Sequence, residues 1–285
     1  MKAVDLIVVA HGDSPHLRTC IESLMSQKAK RLVALSVATS TPTKAMRSLC
    51  ELYGLRLHVN HSAAGGIGAD WSYAYQCGIS DLLTLCHQDD VYEPGYVEQM
   101  GSLFDRYEDL RFACSDHVEL VDGHVRAPSS TLRVKRALMY YAFGSSAIAD
   151  CRARRRRLLA WGNPVSCPSV MFNRAAMPDF SFSHRLRSNL DWDAWDRLCS
   201  MGGSMGYTRE RLVAHRVHAE SATTALIRDQ VRAREDLEMM KRFWPVSVAH
   251  MLACAYRLSY RSNTVADDDD AKQFSRRQKL DRSAE

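Results

Sequence analysis

The chain has 285 residues, of which 46% are hydrophobic and 25% charged, so it is long enough to bury one sizeable core as an ordinary globular protein. Its formal net charge of +5 suits an anionic ligand or a membrane surface. Nucleic acid is disfavoured as a partner because no interleaving of aromatic and basic residues accompanies that charge.

The pattern of apolar and cysteine residues predicts a cytoplasmic protein. The first apolar run contains Asp5 and ends at Ala10, which is too short for a signal peptide. No run reaches the roughly 18 uncharged apolar residues of a membrane span. The nine cysteines show no C-x-x-C spacing, so we expect them to be reduced core residues.

The first part of the chain alternates between predicted strands and helices. Apolar, β-biased runs predict strands over residues 4–10, 32–37, 55–59 and 82–86. Ser14-Pro15 and Thr41-Pro42 are expected to begin the first two intervening helices, and a third is predicted over 67–79. This alternation is typical of a parallel sheet with right-handed crossovers.

The regular alternation ends after residue 90. Helices and strands are still predicted from spacing and turn residues: a helix that begins at Pro94, strands over 112–116 and 117–126, a helix over 189–201, strands over 205–209 and 212–217, and helices over 225–245 and 246–260. No element is predicted for the polar, then basic segment 127–160. The tail from Asn263 is predicted to be disordered.

The fourth strand stops at His87-Gln88-Asp89-Asp90. Ligands of open α/β sheets bind at the carboxyl ends of strands, so these residues are expected at the mouth of a binding site. Carboxylate oxygens suit Mg²⁺ or Mn²⁺, and such an ion suits a diphosphate. The structural alternative is that an aspartate caps the helix that follows.

Four features occur in an order that resembles the family 2 glycosyltransferases of the GT-A fold. They are Val8-Val9-Ala10-His11-Gly12-Asp13, the turn Gly65-Gly66-Ile67-Gly68, the run 87–90, and Asn189 to Arg197 followed by His215-Arg216-Val217-His218. The resemblance covers residues 1–222. It implies an α/β GT-A fold with a mostly parallel, Rossmann-like sheet, helices on both faces and a C-terminal helical extension.

The resemblance also implies an activity and a division of the chain. The activity is transfer of a sugar, with inversion, from a nucleotide-diphospho-sugar donor to a saccharide or lipid-linked glycan acceptor in surface polysaccharide or lipid-linked glycan synthesis. Residues 1–112 are expected to bind the nucleotide sugar, 113–222 to bind the acceptor and carry the catalytic residue, and 223–285 to form C-terminal helices and a tail. The last segment is expected to be dispensable for the chemistry.

Roles for individual residues follow from the same resemblance. Asp89 and His218 match positions that bind Mg²⁺ or Mn²⁺, and Asp191 matches the catalytic base, in preference to Asp193 and Asp196. His215 stands three residues before His218, and in a strand that spacing points the two to opposite faces, so only His218 is expected in the site. The expected donor-binding residues are Ala10, His11, Asp13, Thr39, Ser40, Asp70, His87, Gln88, Asp90 and Arg216.

Three positions depart from the family pattern. His87 stands where relatives carry the first acid of an Asp-x-Asp motif. The second strand is followed by Ala38-Thr39-Ser40-Thr41-Pro42 instead of acidic residues, and the usual Arg-Asn after the glycine-rich turn is replaced around Asp70-Trp71-Ser72. These departures suggest a subfamily with its own donor.

Other readings of the sequence remain open. A non-catalytic glycan- or partner-binding module could keep this fold. A sugar nucleotidyltransferase is disfavoured because 11–14 lack the basic residue expected of a triphosphate loop. The arginine cluster 152–157 is either solvated surface or a contact for diphosphate or anionic lipid. The helix at 246–260 either docks on the core, which we favour, or makes peripheral contact with the inner face of the membrane.

Overall fold

The computed structural model describes residues 1–62, 65–218 and 230–257. The strands are β1 Val4–Ala10, β2 Leu32–Thr39, β3 Arg56–Val59, β4 Leu82–His87, β5 Val91–Tyr92, β6 Leu110–Val121, β7 His124–Val125, β8 Ile148–Asp150, β9 Val170–Asn173 and β10 Ser204–Arg216. The helices are α1 Leu17–Met25, α2 Lys44–Leu52, α3 Ile67–Cys77, α4 Tyr96–Arg106, α5 Ser130–Phe143, α6 Cys151–Leu159, α7 Leu190–Met201, α8 Val231–Lys241 and α9 Val246–Tyr256.

All the strands belong to one sheet, in which eight follow the order β3-β2-β1-β4-β9-β6-β10-β5. The pairs β3–β2, β2–β1, β1–β4 and β6–β10 are parallel, while β9 runs antiparallel to both β4 and β6. Ala10 is in register with Thr39, and Val9 is in register with His87. The carboxyl ends of β1, β2 and β4 therefore meet at one edge.

Helices cover both faces of this sheet. Successive β1 side chains enter different cores, with Leu6 and Val8 packing beside α1, α2 and α4, and Ile7 on the opposite face with α3 and α7. A strand buried on both faces must be apolar at nearly every position, which explains the continuous hydrophobic runs in the sequence. The mixed, mostly parallel α/β architecture predicted from the sequence is confirmed.

Several local predictions were wrong. The two strands expected over 112–126 are one long strand, β6, which ends at a hairpin turn formed by Asp122 and Gly123 with φ of 49° and 80°. Strand β10 is likewise continuous through register shifts between Thr208 and Val213. Segment 127–160, for which no element was predicted, contains α5, β8 and α6. Helix α6 is rich in arginine and lacks apolar periodicity, and burial of a few of its residues stabilises it.

The helix starts also differ from the expectations. Helix α1 begins after His16 instead of Ser14, and the cap of α2 is Thr43, whose hydroxyl accepts the N–H of Met46. Helix α4 begins after Gly95, so neither Asp89 nor Asp90 caps it. The structural alternative for the two aspartates is thereby removed.

The C-terminal helices dock on the core, as we favoured. Met239, Met240, Phe243 and Ala249 are buried in the same cluster as α7. No helix among the described residues is long and apolar enough to cross a membrane. The expected helix over 225–245 is described only from Val231, and the disordered tail expected from residue 263 lies outside the described residues.

Helix α8 also supports the start of α7. The buried carboxylate of Glu235 accepts the backbone N–H groups of Arg187, Ser188 and Asn189 at 2.7–2.8 Å. The carboxylate of Asp236 accepts a 2.6 Å hydrogen bond from the Asn189 amide. These contacts argue against the expectation that the C-terminal segment is dispensable for the chemistry, because α7 carries the predicted catalytic residue.

We expect Glu235→Gln to lower the free energy of unfolding by about 1.5–3 kcal/mol, the usual value of hydrogen bonds to a charged group. The amide nitrogen of glutamine cannot accept the N–H groups that the second carboxylate oxygen now accepts. Chemical denaturation measures this loss. The matched control is Glu238→Gln at an exposed position of the same helix, which should change stability by less than about 0.5 kcal/mol. Equal stability of the Glu235 variant and the wild type would contradict the capping role.

Candidate functional site

The loops after β1, β2 and β4 are joined by hydrogen bonds. The N–H of His11 donates to Gln88 Oε1 at 3.1 Å, and Gln88 Nε2 donates back to the His11 carbonyl at 3.2 Å. The N–H of Gly12 donates to Thr41 Oγ1 at 2.7 Å, and Gly12 has a φ of 59° that favours glycine. The chain therefore turns sharply after β1. The hydrogen bonds hold His11, Gly12, Thr41 and Gln88 together at this edge of the sheet, which we call the polar rim.

Asp89 lies on this rim between two other polar side chains. Its Oδ1 accepts a 2.9 Å hydrogen bond from the Ser14 hydroxyl, and its Oδ2 is 3.4 Å from Nε2 of His218. His16 contacts the ring of His218 edge-on at 5.3 Å between centroids. Asp89 is only partly buried, so this carboxylate is accessible to a ligand.

Asp90 is buried and holds the end of β10 in place. Its Oδ1 accepts hydrogen bonds from His215 Nδ1 at 3.0 Å and from the N–H of Arg216 at 2.8 Å. The Arg216 guanidinium donates to the Asp89 carbonyl at 2.9 Å. Asp90 is 1% exposed and positions its neighbours, and its expected role in donor binding stays a prediction.

His218 contacts Asp89 and His215 contacts Asp90, two aspartates that we call the acid pair. The expectation that only one of the two histidines would face these acids was therefore wrong. Strand β10 ends at Arg216, and alternation of side chains does not continue to His218. Burial alone would lower the pKa of His215, but the charge and hydrogen bond of Asp90 outweigh it and raise that pKa above its usual value. The buried carboxylate therefore favours the protonated form of His215.

A second acid lies beside the end of β2. Asp70, on α3, accepts hydrogen bonds from the Ser40 hydroxyl at 2.8 Å and from the Asn60 amide at 3.1 Å. Its carboxylate thus stands next to the strand end that lacks an acid of its own. The neighbouring Trp71 packs against His87 with ring centroids 4.8 Å apart. Burial lowers the pKa of His87, so its imidazole is neutral near pH 7.

The remaining predicted donor residues lie around the same edge. Ala10 and Thr39 are buried at the ends of their strands, and the Thr39 hydroxyl accepts the N–H of Thr41 at 3.0 Å. Asp13 is exposed on the loop after β1. The structure thus brings the predicted donor residues to one edge of the sheet, and their roles in binding remain predictions.

The three acids at the start of α7 have different environments. Asp193 forms ion pairs with Arg197 at 2.8 Å and with Arg242 at 2.7 Å. Asp196 pairs with Arg155 at 2.6 Å and with Arg242 at 3.1 Å. Within the part of the chain that the structure describes, Asp191 forms no such ion pair.

Asp191 is instead held by neutral donors. The Asn163 amide donates to its Oδ2 at 2.7 Å, and the N–H of Trp192 donates to its Oδ1 at 2.7 Å. Burial raises the pKa of the Asp191 carboxyl above its usual value, although the charges of Arg232 and Lys135 and these hydrogen bonds oppose the change. A carboxylate with a raised pKa accepts a proton more readily at neutral pH.

Asp191 and the acid pair act on a common neighbour. The pKa of the buried Cys167 thiol is raised by burial first, and then by the charges of Asp191 and Asp90. His117 continues the connection, because its ring contacts His215 at 6.2 Å between centroids and lines a small cavity together with Lys135. The two groups of acids therefore belong to one region of the molecule.

The donor set at Asp89 fits a divalent cation that also binds substrate. Among the described residues, no three histidine, cysteine or acidic side chains are arranged to hold a metal by themselves. Asp89 and His218 supply two ligand atoms 3.4 Å apart, and two neighbouring ligands of an octahedral ion, each about 2.1 Å from it, are separated by about 3 Å. Mg²⁺ commonly takes its remaining ligands from phosphates and water.

Sequence reasoning missed the residues that hold the predicted ones. Ser14 was assigned to a helix cap, and Asn60 and Asn163 were not singled out. Asn163 lies between Gly162 and Pro164, which signals a loop but not the carboxylate that the loop reaches. The hydrogen bonds of Ser14 and Asn163 to the predicted acids span 75 and 28 residues, so no local pattern could have identified them.

Comparisons with known proteins agree with this geometry. No family model matches the chain. Over 101 residues, 34% of this chain, it is 28% identical to "Putative glycosyltransferase EpsH" of Bacillus subtilis, and the match spans 29% of that protein's length. Among solved structures, S. aureus TarS 1–349 in complex with UDP-GlcNAc matches with a TM-score of 0.61 and 12% identity, covering 90% of this chain and 71% of TarS 1–349.

Other TarS structures give the same result. S. aureus TarS 1–349 alone has a TM-score of 0.59 at 12% identity over 88% of this chain and 69% of the other. The S. aureus TarS structure that is not limited to 1–349 has a TM-score of 0.58 at 13% identity over 90% of this chain and 43% of the other. Such low identities establish the fold alone, and the predicted GT-A fold is confirmed.

Proposed function

We propose that this protein is an inverting glycosyltransferase, which moves a sugar from a nucleotide-diphospho-sugar to an acceptor hydroxyl. The observation that carries the proposal is the environment of Asp191. Of the three acids at the start of α7, it is the one without an arginine ion pair among the described residues, and its pKa is raised. Those two properties suit a general base.

The chemistry uses the two groups of acids in different ways. Asp191 takes the proton of the acceptor hydroxyl while that oxygen forms a bond to the anomeric carbon. The bond from the same carbon to the diphosphate breaks, and the nucleoside diphosphate leaves toward Asp89. Attack from the face opposite the leaving group inverts the anomeric centre. Mg²⁺ or Mn²⁺ held by Asp89 and His218 would neutralise charge on the departing diphosphate.

The donor class is proposed from the polar edge of the sheet and from fold similarity. TarS 1–349 has been crystallised with UDP-GlcNAc and with UDP. In the present chain, the rim around His11, Asp70 and His87 lies at the carboxyl ends of the strands, where α/β sheets bind ligands. Which nucleotide and which sugar the donor carries is for the donor panel described below to determine. Synthesis of a surface polysaccharide or lipid-linked glycan in the cytoplasm is the cellular role that we propose.

A direct test is transfer or hydrolysis of nucleotide sugars with and without Mn²⁺. The expected result is release of nucleoside diphosphate from one donor of a panel, dependent on the ion. Binding of a donor without any release of diphosphate, even with candidate acceptors, would instead favour the non-catalytic module. The neutral His87 in the position of an acid is the observation that keeps this second function open.

The pH dependence of transfer should depend on Asn163. Transfer requires ionised Asp191, so kcat/KM falls as the pH drops through the pKa of that carboxyl. Removal of the Asn163 hydrogen bond, which lowers this pKa, should raise it further. We therefore expect the acid limb of the profile to move to higher pH in Asn163→Ala.

The matched control is Asn60→Ala, which removes an amide from Asp70 on the donor side. That variant should change the KM for the donor without moving the acid limb. An identical acid limb in Asn163→Ala and the wild type, measured as kcat/KM from pH 4 to 8, would show that another group limits the reaction.

A further inference from the structure

A cavity lies between α5, the loop 161–163 and the C-terminal helices α8 and α9; we call it the α5–α9 cavity. Its volume is about 350 Å³, within the range of ligand pockets. The lining is apolar over most of its area, with Val134, Leu138, Trp161, Leu252 and Tyr256 among the residues that form it. The proposed mechanism above makes no use of this cavity.

The polar part of the lining leads to the proposed base. Ser130, Thr131 and Lys135 from the first turns of α5 and Asn163 from the loop are the polar groups. The Asn163 amide donates to Asp191 at 2.7 Å, so a single side chain separates the cavity from the carboxylate. A molecule that fills the cavity can therefore place a hydroxyl close to Asp191.

Lys135 is a cation without a paired anion at this junction. It lines both the α5–α9 cavity and the small cavity next to His117. In the described part of the chain it makes no hydrogen bond or ion pair, although its charge acts on Asp191. A desolvated ammonium group is unfavourable by itself and favours an incoming anion such as phosphate.

The surface around the cavity is basic and partly apolar. Helices α5, α6 and α9 contain no acidic residue, and α5 and α6 together contain eight basic ones, while α8 carries three basic and three acidic residues. Exposed apolar side chains lie on the same elements: Val134 and Tyr140 on α5, Trp161 on the loop, and Met251 on α9. This combination is complementary to a molecule that is both anionic and apolar.

We propose that the α5–α9 cavity binds the acceptor, and that the acceptor is lipid-linked: an apolar chain joined through phosphate to the group that carries the reacting hydroxyl. The chain occupies the apolar lining, Lys135 binds the phosphate, and the hydroxyl lies beside Asp191. This inference rests on the proposed glycosyltransferase function and specifies its acceptor. It adds no covalent step to the transfer described above.

Binding of a short isoprenoid phosphate, farnesyl phosphate, to the full chain tests the proposal. Ala255→Trp adds a large side chain at an exposed position of the lining, so the cavity is filled without disturbing the core. Ala137→Trp is the matched control, since Ala137 is exposed on α5 and does not line the cavity. Lys135→Gln removes the cation and keeps the length of the side chain.

We expect Lys135→Gln to weaken farnesyl phosphate binding at least about tenfold, as loss of one charge-assisted contact predicts. We expect Ala255→Trp to weaken it at least about tenfold as well, because the added side chain occupies the space of the apolar chain. Ala137→Trp should bind like the wild type, and farnesol should lose the dependence on Lys135. Nucleotide-sugar binding, measured on the same samples, should be unchanged in all three variants, which also shows that they are folded.

The possible failures are distinguishable. If the wild type binds a nucleotide sugar but Ala255→Trp binds farnesyl phosphate as the wild type does, the cavity is not the acceptor site. A second failure would be salt-sensitive binding of anionic vesicles that is equal in all variants, while Ala255→Trp keeps its affinity for farnesyl phosphate. That result would mean that lipid is attracted only to the surface, and it would overturn the proposal. If no nucleotide sugar binds to the wild type, the glycosyltransferase function itself fails.

Discussion

Replacement of Asp191 by asparagine is expected to lower transfer by at least about 10²-fold while the affinity for the donor stays the same. Asparagine keeps the size of the side chain and accepts a hydrogen bond from Asn163, but it cannot take a proton from the acceptor. Initial rates of transfer and calorimetric titration of the donor measure the two quantities separately. The effect should therefore appear in kcat.

Asp193→Asn and Asp196→Asn are the matched controls, because they lie on the same helix and carry the same change. Each of these carboxylates forms ion pairs with arginines, so the amide variants leave the arginine charges uncompensated. The free energy of unfolding should therefore fall in both variants. Transfer per folded molecule should fall much less than in Asp191→Asn. A larger loss of transfer in either control would show that the base is placed on the wrong residue.

Asp89→Asn is expected to abolish the dependence of donor binding on Mn²⁺ and to leave the fold intact. Asp89 is partly exposed and contacts only polar neighbours among the described residues, so the core is unaffected. An amide oxygen is a weaker ligand for a hard cation than a carboxylate. Titration of the donor with and without Mn²⁺ measures the difference, and thermal unfolding verifies the fold.

Asp81→Asn provides the control for Asp89→Asn. Asp81 is an exposed acid that immediately precedes β4, at the opposite end of the strand from Asp89. Its replacement should leave donor binding and its Mn²⁺ dependence unchanged. Unchanged Mn²⁺-dependent affinity in Asp89→Asn would rule out this carboxylate as the metal ligand.

The sequence predicts the first half of the fold well, because its central strands β1 and β4 are buried along almost their whole length. Strands such as β1 and β4 are recognisable as apolar runs, and the acids that follow β4 mark the edge of the sheet. The second half is harder to predict. Helix α6 contains five arginines in nine residues and is stabilised by tertiary contacts, such as that of Arg155 with Asp196, that local periodicity does not reveal.

The candidate site shows the same limit. Resemblance to the family indicated Asp191, but the physical difference between Asp191 and its neighbours depends on Arg155 and Arg242, which lie 36 or more residues away in the sequence. His215 was wrongly expected to point away from the acids, because the end of β10 could not be located from the alternation of side chains alone. Burial and pairing of charges are three-dimensional properties, and they decide which acid is available for catalysis.

The capping of α7 by α8 has a consequence for synthesis of the protein. A chain emerges from the ribosome in order, so β1 to β4 and their helices are available long before Glu235 and Arg242. Until those two residues appear, the backbone N–H groups of 187–189 lack their carboxylate and the aspartates of α7 lack one of their cations. The strands β1 to β4 and their helices can thus fold early, whereas α7 obtains these contacts only after Glu235 and Arg242 have emerged, so a shorter nascent chain has the helix of Asp191 without its cap.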